Sequence, residues 1–365
     1  MAMKRNLWTF GRDWGEMFLR RIWVLFLAIS VKKNLTTLGW IEIDNAHPFS
    51  KGHNGFQISS LMQEKMVYVG HLDCYQKSNE ILEKLVSVKV SVSQVYRVTD
   101  TYGAQIGKTT DPQERTLTPV RGNEVLYAEA DGGMILTRKD DWKEVKVGRL
   151  FKSGDCIHAD GNPGYISHSQ YKAHLGNSKT FCRQMEDLID AYQVADDRLV
   201  FISDGAPWIK NWVEDAYPKA ISILDYYHAT EHLHGFAEKH FKDDNKRRQW
   251  TEKQKELLLQ SKVATVIKNI KKLSDSKEAL QLIDYYEANQ QRMDYHRYKQ
   301  IGSGIIGSGA IESAHRTVVQ KRMKLSGQRW SGTGAQNMLN LRVTSMNGRW
   351  DKIIALTKCN FKTAA

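Results

Sequence analysis

The chain has 365 residues, long for one average domain and enough for two or three, and its 41% hydrophobic content can fill real cores. Its 53 Lys and Arg against 41 Asp and Glu leave a net charge of +12 and a pI near 9.3, which points to a polyanionic partner, nucleic acid first, and away from an acidic small molecule. Four scattered cysteines, Cys74, Cys156, Cys182 and Cys359, show no CxxC or paired spacing; they argue against a zinc knuckle or a disulfide framework and fit a reducing cytoplasm.

Residues 1–70 read as an N-terminal helical region without specific chemistry, with Trp8, Trp14, Trp23 and Trp40 among basic residues and a turn-prone DNAHPFSKGHNG. The one long apolar run, Ile22 to Val31, has 10 residues where a transmembrane helix needs about 20. No small-residue cleavage site follows it, so a buried helix is expected, with no membrane partner. Across 71–107, Ile81, Leu82 and Leu85 close one helical pattern and Val92, Val95 and Val98 space a second. A break at Ser87 separates them and Ser91 is placed to cap the second helix. This is a helix-turn-helix outline, with Ser93, Gln94, Tyr96 and Arg97 available to a major groove; an ordinary α-hairpin has the same spacing. The polar, turn-rich 108–123 reads as a linker.

Strand patterning then takes over. VLYAEADGGMILTR (Val125 to Arg138) reads as two strands joined by a hairpin turn at Asp131-Gly132-Gly133, and WKEVKVGRLFK (Trp142 to Lys152) as a third. A helix is expected from about His168 to Tyr192, a buried strand at LVFISDG, a helix at PWIKNWVEDAY and a fifth strand at AISILDYYH. The stretch 229–299 is almost wholly helical, and GSGAIESAHRTVVQKRMKLSGQRW (Gly307 to Trp330) supplies a last helix. This order gives the fold class expected here: α/β, a ribonuclease-H-like mixed sheet with an all-helical insertion, preceded by an α-helical DNA-binding region. The catalytic domain would comprise 124–228 and 300–350, with 351–365 as a tail.

In that fold, acidic residues from the first strand, the fourth strand and the last helix converge, which selects Asp131, Asp204 and Glu312. Phosphodiester chemistry with two divalent ions needs such oxygen donors, and Mg²⁺, or Mn²⁺ as substitute, prefers them. Taken singly, each acid has a plainer role: Asp131 and Asp204 in turns, Glu312 in an i, i+4 surface pair with Arg316.

FISDGAPWIKNW, ILDYYHATEHL and the Gly307 to Trp330 stretch, followed by AQNMLNLR, resemble DDE transposases of bacterial insertion sequences of the Kra group, relatives of the Mutator-like superfamily. The resemblance runs from about residue 70 to Trp350, and the family triad falls on the same Asp131, Asp204 and Glu312. It implies an enzyme that binds the terminal inverted repeats of its element, cuts the ends and joins 3′-hydroxyls to target DNA. It also implies double-stranded DNA as partner, a homodimer in the end complex, and a bacterial cytoplasmic, nucleoid-associated location. The alternatives are a nuclease that only hydrolyses and a catalytically silent DNA-binding derivative.

Asp225 and His228 form a D-x-x-H similar to the Mutator-like signature, with His228 as a catalytic helper and Asp225 as accessory or as a buried structural acceptor. Adjacent Glu231 and His232 point in different directions on a helix, which argues against a zinc site there. Arg316, Gln320 and Lys324 would track a DNA backbone, with Arg329 beside them; Trp330 would stack on an unpaired base or sit in the core.

Overall fold

The computed structural model describes residues 33–36, 39–42, 53–108, 118–159, 162–359 and 361; the expected buried helix at Ile22 to Val31 and most of the expected linker lie outside them. Strands β1 (Lys33–Thr36) and β2 (Gly39–Glu42) form an antiparallel pair. The chain divides into two compact units, one of Met1–Thr109, Leu136–Asp141 and Val318–Ala365, the other of Thr110–Ile135 and Trp142–Thr317. Among the described residues no helix is long and apolar enough to cross a membrane.

The first unit is helical. Helices α1 (Ser60–Leu72), α2 (Tyr75–Val86) and α3 (Val92–Ile106) follow one another. Ser87 ends α2 in the left-handed region at φ 54°, and the Ser91 hydroxyl accepts the Gln94 N–H, so both expected punctuation marks are present. Val95, Val98 and Tyr102 are fully buried with Met62, Met66 and Leu341, whereas Leu85, expected to close the apolar face of α2, is exposed. Arg322 is fully buried, its guanidinium 4.7 Å from the Tyr75 ring centroid and 5.2 Å from that of Trp330, and its Nε donates to the Gly70 carbonyl.

The second unit is a mixed sheet with helices on both faces. Its strands β3 (Leu126–Leu136), β4 (Trp142–Lys152), β7 (Gln170–Leu175), β8 (Leu199–Ser203) and β9 (Ile221–Leu224) lie in the order β7-β4-β3-β8-β9. β4 and β7 are antiparallel, while β8 runs parallel to both β3 and β9. A separate small hairpin, β5 (Cys156–Ala159) with β6 (Asn162–Ile166), was not expected.

Alternation along the strands sorts the side chains between faces. Leu126, Ala128, Leu199 and Phe201 pack with α4 (Ser178–Ala191) and α5 (Pro207–Ala216). Val125, Tyr127, Val200 and Ile202 pack with the helical insertion, α6 (Tyr226–His240), α7 (Asp244–Leu259), α8 (Val263–Leu273) and α9 (Lys277–Asn289), which is followed by α10 (Tyr295–Tyr298). A helical run over 309–323 comprises α11 (Gly309–Ala314), a π-helical stretch His315–Gln320 and α12 (Lys321–Met323). α13 (Gly332–Met346) and α14 (Trp350–Lys358) complete the first unit.

Two expectations fail here. The predicted hairpin at Asp131-Gly132-Gly133 is absent: β3 runs straight through, and neither glycine has positive φ. The glycines answer a need for space, since a Cβ on Gly132 would lie 2.1 Å from Glu144 Oε1 and one on Gly133 2.9 Å from the His315 ring. The chain reverses later, at 137–141, where Asp141 has φ 47° and its carbonyl accepts the Thr137 N–H. The helix predicted from His168 begins only at Ser178, capped by the Asn177 side chain, because 170–175 pairs with β4 as the third strand of the sheet.

Candidate active site

Parallel pairing of β3 with β8 matches Glu129 with Ile202; Asp131 lies two residues farther along β3 and Asp204 just past the end of β8, near enough for their charges to interact. Alternation puts both on the face of Tyr127 and Ile202, toward the helical insertion. Burial raises the pKa of Asp131; His315 and the Gly132 N–H oppose that rise, and the Asp204 charge adds to it. The His315 Nε2 lies 3.4 Å from Asp131 Oδ2. The Asp204 side chain accepts the Ala206 N–H at 2.9 Å, and its backbone carbonyl accepts the Tyr285 hydroxyl at 3.1 Å. Gly205 takes φ +93° in the turn that follows, a conformation suited to glycine.

The first turn of α11 is held by a clamp on a single peptide group. Arg149, from β4, donates to the Ala310 carbonyl at 2.8 Å, and Glu129 accepts the Ile311 N–H of the same peptide at 2.6 Å. Glu129 is wholly buried, and burial pushes its pKa up to about 8, against the pull of Ile311 and Arg149. Its second oxygen has no hydrogen-bond partner. Glu312 follows directly on this clamped turn, exposed, with no ion pair to Arg316 among the described residues. Its charge acts on Glu129.

An all-oxygen donor set suits a hard divalent cation. The Asp131–Asp204 repulsion is the feature such a cation would relieve. Among the described residues, no three His, Cys, Asp or Glu side chains already close on one ion. Of the predicted triad, then, the fold pairs the two aspartates and sets Glu312 beside Glu129.

Asp225 is buried and structural: it caps α6 through the Tyr227 N–H at 2.8 Å and accepts the Ser308 hydroxyl at 2.5 Å. His228 stands one turn into α6, with Nδ1 3.6 Å from Glu231. Arg292, buried after α9, donates to Ser203 Oγ at 2.7 Å, to Ser222 Oγ at 2.9 Å and to the Ile223 carbonyl, tying the insertion to the ends of β8 and β9 just before Asp204 and Asp225.

Sequence reasoning missed Glu129, Arg149, His315, Tyr285 and Arg292. Glu129 had a signal, since it is two residues from Asp131 on a strand and so shares its face. Of the predicted DNA-contacting residues, Ser93, Tyr96, Arg97, Arg316, Gln320, Lys324 and Arg329 are exposed and Gln94 is half-buried. The π-helical stretch is wider than an α-helix, so Gln320 and Lys324 do not continue the Glu312–Arg316 line at α-helical spacing. Trp330 is a correction: it is buried, with its indole N–H on the Met323 carbonyl, so it belongs to the core and is not presented to a base.

A profile described as "Uncharacterised protein family (UPF0236)" matches residues 44–358. A "UPF0236 protein in vanSb 3'region" from Streptococcus gallolyticus is 23% identical over 296 residues, which cover 76% of this chain and 61% of that protein. The chain thus spans about three-fifths of the length of the curated relative it matches.

Proposed function

Because the chain belongs to the uncharacterised family UPF0236, whose name states no activity, we propose a function from the chain's own site: a DDE transposase that binds the ends of its element, cuts them and joins the freed 3′-hydroxyls to target DNA. The observation that carries this reading is the interacting Asp131–Asp204 pair, at the ends of two parallel-paired strands, with Glu312 on the clamped helix. The element order supports a ribonuclease-H-like fold for the second unit: three sheet strands with the β5–β6 hairpin set between the second and third, then helix, strand, helix, strand, helical insertion and a later helix.

In this reading Asp131, Asp204 and Glu312 would hold two Mg²⁺ or Mn²⁺ ions, which when bound would supply activation of the attacking oxygen and stabilisation of the leaving one. Glu129 and Arg149 hold the first turn of α11, from which Glu312 extends, and Tyr285 and Arg292 hold the turn that presents Asp204. His315 orients the Asp131 carboxylate, and His228 is placed to orient a phosphate or pass a proton. The net charge of +12 supplies attraction for DNA, and two ends brought together call for a homodimer.

The test is a strand-transfer assay on end-sequence duplexes, with Mg²⁺ or Mn²⁺, comparing wild type with Asp204→Asn. Joined products from wild type alone are expected. Wild type that binds the ends but never nicks or joins them defeats the proposal and leaves a silent DNA-binding protein; nicking without joining leaves a nuclease.

A further inference from the structure

The histidines of HATEH stand beside the paired carboxylates, near enough for His228 to act on Asp131 and Asp204 on His232, and add a second kind of donor there. His228 and His232 are one helical turn apart on α6, their rings perpendicular at 4.7 Å between centroids, and their Nε2 atoms face each other at 3.2 Å. Two nitrogens bound to one tetrahedral Zn²⁺ at about 2.0–2.1 Å lie about 3.3 Å apart, close to the separation seen here. Supporting groups are in place around the pair. Glu231 lies 3.6 Å from His228 Nδ1, within ion-pair reach, and adds negative charge beside the pair. The His232 ring rests on Tyr285, centroids 4.5 Å apart, and Tyr285 is itself anchored on the Asp204 carbonyl. The adjacency of Glu231 and His232, which argues against zinc from sequence, is beside the point, because the converging pair is His228 with His232.

We propose that His228 and His232 form a two-imidazole site for a borderline transition-metal dication of the Zn²⁺ class, distinct in donor chemistry from the neighbouring carboxylates. Imidazole nitrogen selects Zn²⁺, Co²⁺ or Ni²⁺ over Mg²⁺, which the aspartates favour. With two protein ligands the site is open, and water or an incoming ligand fills the remaining positions. This inference goes beyond the transposase reading and does not depend on it.

The experiment titrates Zn²⁺ into chelator-stripped full-length protein against a chromophoric zinc indicator, in excess Mg²⁺. Uptake of one Zn²⁺ per chain is expected, lost in His228→Ala and in His232→Ala and unaffected by His234→Ala. Both rings are at least partly exposed, so the variants should melt as wild type does. On wild type alone, histidine ¹⁵N resonances should show two Nε2 atoms shifting together as Zn²⁺ is added. Equal Zn²⁺ uptake by the His228→Ala/His232→Ala double variant overturns the proposal, as does displacement of the Zn²⁺ by Mg²⁺, which would place it on the carboxylates.

Discussion

Glu129 is the buried acid on which the clamp at α11 turns, and its two simplest replacements should behave oppositely. Its pKa rises from 4.5 to about 8 on folding. The folded chain therefore binds a proton that the unfolded chain releases. The stability associated with this group is fully present below pH 4.5 and is lost as pH rises through about 8. At 1.36 kcal/mol per unit, the loss amounts to about 3 kcal/mol by pH 7 and about 5 kcal/mol above pH 8. Glu129→Gln keeps an acceptor for the Ile311 N–H and has nothing to ionise, so it should match wild type near pH 4 and exceed it increasingly toward pH 8.5. Glu129→Ala strands that N–H in the interior, at a cost of about 1–3 kcal/mol, and should be weaker than Gln at every pH. Urea denaturation at pH 4.5, 7 and 8.5 in metal-free buffer measures all three proteins. A Gln-minus-Glu difference that does not change with pH would refute the reasoning.

Burial, reinforced by Arg342, lowers the pKa of His71 from 6.5 to about 4, so the folded chain excludes a proton that the unfolded chain takes up. Stability should fall by about 3 kcal/mol between pH 6.5 and 4, and a thermal-melting series should show the slope flattening in His71→Gln, which cannot titrate. A Cβ on Gly103 would lie 2.4 Å from the Asn337 backbone oxygen, which cannot rotate away, so Gly103→Ala should cost about 1–3 kcal/mol in denaturant unfolding. Tyr285→Phe removes the hydroxyl bonded to the Asp204 carbonyl, a stability cost of about 0.5–1.5 kcal/mol. If that bond positions the Asp204 turn, strand-transfer turnover should drop while end-DNA affinity in a mobility-shift assay is unchanged.

The local signals that sequence carries with a mechanism were legible. Ser91 caps α3, Ser87 breaks the chain before it, Pro207 opens α5, and the apolar run at 199–203 is a buried strand. Signals that depend on a neighbour were misread. Gly132 and Gly133 look like a turn until Glu144 and His315 are seen to fill the space a side chain would need. The third strand, 170–175, alternates only weakly in burial, and its pairing with β4 is a non-local fact. The site divides in the same way. Asp131 and Asp204 were chosen from their places in the element order, but Glu129, Arg149, Tyr285 and Arg292 act through partners up to 182 residues away, beyond any local pattern. Trp330 resembled a stacking platform because its basic neighbours hide the fact that Arg322 and the Met323 carbonyl enclose it.

The central claim is that Asp131, Asp204 and Glu312 jointly catalyse metal-dependent cleavage at DNA ends. It is tested most directly by single-turnover nicking of a labelled end duplex, in Mg²⁺ or Mn²⁺, by wild type and by Asp131→Asn, Asp204→Asn and Glu312→Gln. Each variant should bind the duplex as wild type does and lose nicking by about three orders of magnitude, the equivalent of about 4 kcal/mol of charge stabilisation. Nicking at the wild-type rate by any of the three, or nicking by wild type in the presence of excess chelator, would contradict the account.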